Sequence, residues 1–238
     1  MTRAERIRNF PKTGWRNVLA RHLAGLTTRP AHTTFFGYQT KTALHLPFAG
    51  EWYVYWGGRS AAQNKHVVSR NQRFAYDFLI LARRSNGRSC RGAGESNSDY
   101  YCFGQPVYAP ADGIVMKVEN ELPDNTPGEM NPKAVLGNCV ILDHGCGEFS
   151  FFAHFRQGTV VVRRGDLVHS GQLLAHCGNS GNSSEPHLHH HLQNTPVPFQ
   201  GDGLPAFFVE YLADGKPVAR GEPMARQTVR SQREFSGQ

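Results

Sequence analysis

The chain has 238 residues, 39% of them hydrophobic, with 25 glycines and 14 prolines, which describes a turn-rich globular chain long enough to bury a core. No apolar run reaches the roughly 18 residues of a membrane span, and the opening MTRAERIRNFPKTGW is charged without the apolar stretch of a secretory signal. The net charge of +7 sits at the ends, with +6 in residues 1–30 and +2 in residues 211–238. Such ends suit an anionic cell-surface polymer, and without an aromatic-basic surface motif they do not point to a specific nucleic-acid partner.

Residues 1–31 form a basic N-terminal segment, in which Ile7, Phe10, Trp15, Val18, Leu19, Leu23 and Leu26 recur at a spacing that permits a short amphipathic helix. From His32 onward the pattern changes to short β-type runs. WYVYW (52–56), RFAYDFLIL (73–81), PVYA (106–109), GIVMKV (113–118), NCVILD (138–143), FSFFAHF (149–155), TVVVR (159–163), QLLAHC (172–177) and HLHHHL (187–192) are the predicted strands. With no helical periodicity between them, they predict a mainly β fold rather than βαβ units. Two polar inserts, 82–104 and 119–137, are too long for hairpin turns and are expected to be functional rims or mobile flaps. AFFVEYLADGKPVARGEPM reads as a further strand pair about Asp214-Gly215. A β-rich domain is thus expected over 32–227, with residues 228–238 disordered.

Five cysteines leave an odd one, so a fully disulfide-stapled lone chain is excluded. Cys90 and Cys102 are placed to close the loop between them, and Cys139 and Cys146 to face each other across a hairpin; ordinary thiols are the plainer expectation for most of the five.

The chemistry concentrates in SSEPHLHHH (183–191). Along a strand His187, His189 and His191 share one face while Leu188, His190 and Leu192 share the other. Two imidazoles on one face address a single small site, and zinc accepts neutral imidazole readily. Exposed histidines also occur on edge strands, so the pair alone does not decide the matter.

The longer segment GNSGNSSEPHLHH (178–190), preceded by GDLVHSGQLLAHC (165–177), FFAHF (151–155) and PVYAPADGIV (106–115), resembles the lysostaphin-like zinc metallopeptidases over roughly residues 66–193. The resemblance implies an antiparallel β-sheet groove of duplicated hybrid motif type, a zinc cofactor, and hydrolysis of peptidoglycan stem or cross-bridge peptides in the cell envelope or outside the cell. It assigns Asp77 and His189 to the metal, and His154 and His187 to catalysis beside a metal-activated water.

Two departures from that family's pattern stand out. The pattern has a further zinc histidine four residues before the aspartate, where this chain has Arg73, whose guanidinium has no lone pair to give. The nearest substitute is His66; with a turn at Ser69-Arg70-Asn71 it is expected on a strand paired with that of Asp77. Asn71 and Gln72 are the amide alternatives. The second departure is His190-His191, where the family more often has an aromatic followed by Glu or Gln. His190 is expected on the packed side of the sheet as a hydrogen-bonded imidazole, and His191 beside the ligands, orienting one of them. His144, His169 and His176 read as surface or structural. Arg73 also keeps a second function open: an impaired relative that binds wall peptides or regulates another hydrolase.

Overall fold

The computed structural model describes residues 35–82 and 87–233. The helix expected within residues 1–26 lies outside them. Among the described residues thirteen strands follow in chain order: β1 Glu51–Trp56, β2 Tyr76–Leu79, β3 Pro106–Tyr108, β4 Gly113–Glu119, β5 Asn138–Asp143, β6 Phe149–Phe155, β7 Leu167–Val168, β8 Leu173–His176, β9 Leu188–Gln193, β10 Gly203–Leu204, β11 Phe208–Ala213, β12 Lys216–Gly221 and β13 Thr228–Ser231. Eleven form one sheet, in the order β12-β11-β13-β1-β2-β9-β6-β5-β4-β7 with β10 beside β9, and β3 and β8 form a separate pair. The fold is mainly β and its named strand pairs are antiparallel.

Two expectations are corrected. TVVVR (159–163) is not a strand: Val161 is 60% exposed, and the chain pairs instead at Leu167–Val168, opposite Gly113 and Ile114. Its β-branched run signalled a strand that sheet pairing did not take up, since local propensity yields to tertiary context. The tail expected to be disordered from residue 228 begins with β13, where Val229 is fully buried and pairs with both Trp52 and Ala213. The hairpin about Asp214-Gly215 forms with φ of 50° and 77° at those residues, the left-handed pair of a tight type I′ turn.

One face of the sheet builds the core. Trp52, Val54, Tyr76, Phe78, Val140, Leu142, Phe152, Leu188 and Leu192 pack there with Val107 and Leu174 of the two-stranded sheet. The other face carries a smaller apolar group, Leu136, Cys139, Ile141, Phe151 and Ala153. Beside it lies the polar cluster described below.

The polar inserts border that second face. Asn125 Nδ2 donates to the carbonyls of Gly181 and Ser183 at 2.7 and 2.9 Å, and Asn97 Nδ2 donates to the Asn125 carbonyl at 2.8 Å. Asn179 Nδ2 donates to Asn97 Oδ1 at 3.0 Å. Both inserts are thereby laced to the segment leading into β9. Cys102, Cys139, Cys146 and Cys177 are free thiols, so neither the Cys90 with Cys102 closure nor the Cys139 with Cys146 pair forms.

Candidate metal centre

Strand β9 lies between β2 and β6, and its register sets His189 between Asp77 on one side and Ala153 on the other. Leu188 and Leu192 on its opposite face are fully buried in the core. A slip of one residue would turn those leucines out of the core, so their burial fixes which histidines face the groove. Nδ1 of His189 lies 2.9 Å from Oδ1 of Asp77, with both residues buried. His190 shares the core side, as expected: it is fully buried, and its Nε2 lies 3.2 Å from Ser150 Oγ. Burial pushes its imidazole down to about 3, so it is neutral. His191 returns to the groove side, stacked 4.6 Å from the Phe151 ring.

His66 reaches the same carboxylate by a different route from the one expected. It lies on a single 3-10 turn, Lys65–Val68, rather than on a strand paired with β2. The strand partners of β2 are β1 and β9, so no edge was open for it. From the turn, His66 Nε2 lies 3.0 Å from Asp77 Oδ1. His66, Asp77 and His189 thus present three donor atoms within 4.8 Å of one another. The carboxylate's close partners are Lys65, His66, His187 and His189, and the Asn71 and Gln72 amides are not among them. Arg73 instead donates from Nη1 to the Val67 carbonyl at 3.1 Å.

His154 and His187 complete the cluster. Strict alternation along β6 would send His154 to the core side with Phe152. One extra residue on β6 interrupts its pairing with β5, because Asn138 faces Phe155 while Val140 faces Phe152. His154 itself has φ of 65°, a strained conformation for a non-glycine residue that re-aims its side chain. The ring centroid lies 4.8 Å from that of His187 and 5.8 Å from that of His189. Its Nδ1 lies 2.8 Å from the Ser180 carbonyl. Nδ1 of His187 lies 2.8 Å from the Glu185 carbonyl, while its Nε2 lies 3.6 Å from Asp77 Oδ1.

The charge balance is simple. Burial alone would raise the Asp77 carboxyl, but Lys65, whose Nζ lies 2.9 Å from Oδ2, and the surrounding imidazoles hold it well below the usual carboxylate range. Burial lowers His66, His154, His187 and His189, which favours neutral rings with lone pairs to offer. Lys65 escaped the sequence reading because a lysine beside a ligand has no spacing signature. Asn64 was missed as well, although an Asn directly before KHVV is a helix-cap signal.

Three protein donors, N, N and O, with two further imidazoles alongside, are a set that could hold a metal ion. Residues 98–200 match the model of Peptidase family M23. The matched span includes His154, His187 and His189 and begins beyond His66 and Asp77. Peptidoglycan DD-endopeptidase ShyA of Vibrio cholerae is 31% identical over 111 residues, covering 46% of this chain and 23% of that protein. ShyB, a peptidoglycan DD-endopeptidase of the same organism, is 31% identical over 43% of this chain and 21% of its own length. The chain thus spans under a quarter of the length of these relatives. A crystal structure of a zinc-containing peptidase from Vibrio cholerae is 28% identical, with a TM-score of 0.32 over 43% of this chain and 28% of that one.

Proposed function

We propose that the protein is a zinc-dependent endopeptidase acting on peptidoglycan stem or cross-bridge peptides, in the cell envelope or outside the cell. The observation that carries this reading is the convergence of His66, Asp77 and His189 within 4.8 Å. Their donor set fits zinc: two imidazole nitrogens and one carboxylate oxygen, with Asp77 and His189 buried, His66 half-buried and the carboxylate kept ionised. Arg73 does not leave the set short, because His66 supplies the second nitrogen. The substrate class is supported by the names of the two Vibrio relatives.

Bound zinc would supply Lewis acidity toward a peptide carbonyl and make a water acidic enough to react near neutral pH. The chain's own contribution is proton handling. A ring nitrogen beside a carbonyl oxygen must donate to it, so Nδ1 of His154 carries a hydrogen toward Ser180, and Nδ1 of His187 one toward Glu185. In the neutral rings, Nε2 of each then holds the lone pair. Those atoms can take a proton from the attacking water and return it to the departing amine. Once protonated, they can donate to the developing oxyanion.

The test is zinc content and hydrolysis together. Purified full-length protein is expected to hold about one equivalent of zinc and to release cross-linked muropeptides as cleaved products from isolated sacculi, read by mass spectrometry. The His66→Ala variant should lose both. Zinc unaffected by that substitution would refute the ligand set, and zinc binding without any cleavage would favour a wall-peptide-binding protein.

A further inference from the structure

We infer that Asn64 and Arg73 are positioning residues for the metal donor His66, clamping the turn that carries it against the root of β2, and that metal affinity depends on this clamp. The inference rests on reading His66, Asp77 and His189 as the metal site.

The turn has little else to hold it. It is four residues long and none of them is buried; Val68 is 44% exposed. A lone 3-10 turn is not stable by itself, and this one has no buried apolar side chain to anchor it. Yet His66 Nε2 must stay at a fixed distance from Asp77 Oδ1. Two side chains hold the ends of the turn.

At the front, Asn64 is fully buried and uses both ends of its amide. Its Oδ1 accepts from the His66 backbone N–H at 2.9 Å, capping the turn. Its Nδ2 lies 3.0 Å from the carbonyls of both Gly58 and Ala75, donating to each. Ala75 is two residues before Asp77 in the chain, so one side chain ties the backbone of one donor to the strand of the other. At the back, Arg73 donates to the Val67 carbonyl at 3.1 Å, and its guanidinium lies 4.6 Å over the Phe36 ring. Phe36 in turn meets Phe74 edge-on at 5.5 Å. Both clamps are therefore referenced to residues 73–75, the segment that leads directly into β2 and Asp77. The arginine that stands where the resemblance places a histidine supports the turn that carries a different one. The same turn also carries Lys65 to Asp77 Oδ2.

The experiment uses the full chain, stripped of metal and reloaded, with zinc affinity read by competition against a chromophoric chelator. The cobalt-substituted protein provides a second readout, since its visible absorption reports ligand number and geometry. Arg73→Met keeps aliphatic bulk on Phe36 but removes the donor to Val67; it is expected to weaken zinc binding about 10- to 100-fold and to alter the cobalt spectrum. Arg73→Lys, which keeps a donor and a cation, should restore most of the affinity. Asn64→Ser keeps a capping oxygen and loses the two carbonyl contacts, so its effect should fall on the same side. Asn64 is buried and its variant is open to misfolding, so the partly exposed Arg73 carries the test, with melting of the metal-free protein measured alongside.

If wild type binds zinc, His66→Ala does not, and Arg73→Met matches wild type in affinity and spectrum, the clamp is refuted while the metal site stands. An affinity loss that only tracks lost melting temperature, without rescue by Arg73→Lys, also refutes it. Failure of wild type itself to bind zinc would instead bring down the metal site on which the inference rests.

Discussion

Nε2 of His189 lies 3.0 Å from Nδ1 of His191. The chain of contacts continues along the same face of β9, with His191 Nε2 3.3 Å from Gln193 Oε1 and Gln193 Nε2 donating to the Thr195 and Val197 carbonyls. Because the Gln193 amide nitrogen is committed to those carbonyls, its oxygen accepts, so His191 donates from Nε2 and accepts at Nδ1. His189 must then carry its hydrogen on Nε2, which leaves the Nδ1 lone pair facing Asp77 and the position proposed for the metal. His191→Phe would keep the ring against Phe151 but remove the acceptor. It is expected to weaken zinc binding about 10- to 100-fold, while His191→Gln, which restores an acceptor, should fall between. Chelator competition on the two variants checks the order.

His154 and His187 are expected to separate catalysis from metal binding. Neither belongs to the three-donor group. His154→Ala should retain zinc in full and lose about 10²- to 10⁴-fold in turnover, the range for removal of a positioned acid–base group. Parallel measurement of zinc content and sacculus hydrolysis tests this, and loss of zinc with His154→Ala would place that histidine among the ligands instead.

The carbonyl that orients His154 belongs to a segment packed with unusual closeness. A Cβ on Gly137, which has φ of 62°, would lie 2.4 Å from the Ser180 carbonyl oxygen, so Gly137→Ala meets both backbone strain and a clash with backbone that cannot swing aside. Ser180 would be displaced, and with it the contact at His154 Nδ1 and the bond from the Asn138 N–H to Ser180 Oγ. Turnover is expected to drop about as far as in His154→Ala with zinc content intact. A thermal melt should also show a loss of a few degrees, as for about 1 kcal/mol in a domain of this size.

How much of this was written in the sequence differs by element. Continuous apolar runs such as NCVILD and FSFFAHF announced β5 and β6, because central strands bury both faces and need no alternation to be seen. TVVVR failed for the complementary reason: its propensity is local, but strand pairing is decided by neighbours far along the chain. At the site, period-two geometry puts His187 and His189 on one face and the family resemblance made them candidates, whereas His66 became a candidate only through the missing histidine at Arg73. Its position on a one-turn element held by Asn64 could not be read as a strand contact. The groove-side orientation of His154 was invisible, since it depends on an inserted residue and a positive φ that no residue type announces. The turn at Asp214-Gly215, by contrast, was legible because those residue types tolerate the left-handed backbone it requires.

Glu148 gives the fold a dependence on pH away from the proposed metal site. Its side chain is buried and accepts from Tyr38 Oη and the Lys41 N–H, both at 2.6 Å, and from the N–H and hydroxyl of Thr42. Burial alone would raise its carboxyl, but the bonds from Thr42, Tyr38 and Lys41 hold it below the usual carboxylate range. A carboxyl whose folded value is depressed contributes stability above its unfolded value, about 4.3, and that contribution is lost as pH falls through the lower folded value. Glu148→Gln replaces one acceptor with a donor facing the Thr42 N–H, so at pH 7 it should cost about 1–3 kcal/mol. As pH falls through that lower folded value the wild-type carboxyl itself takes up a proton, and the gap between the two proteins should close. Urea midpoints of the metal-free proteins across that range measure it; a gap that stays constant down to acid would mean that the carboxylate charge contributes nothing to holding residues 38–42.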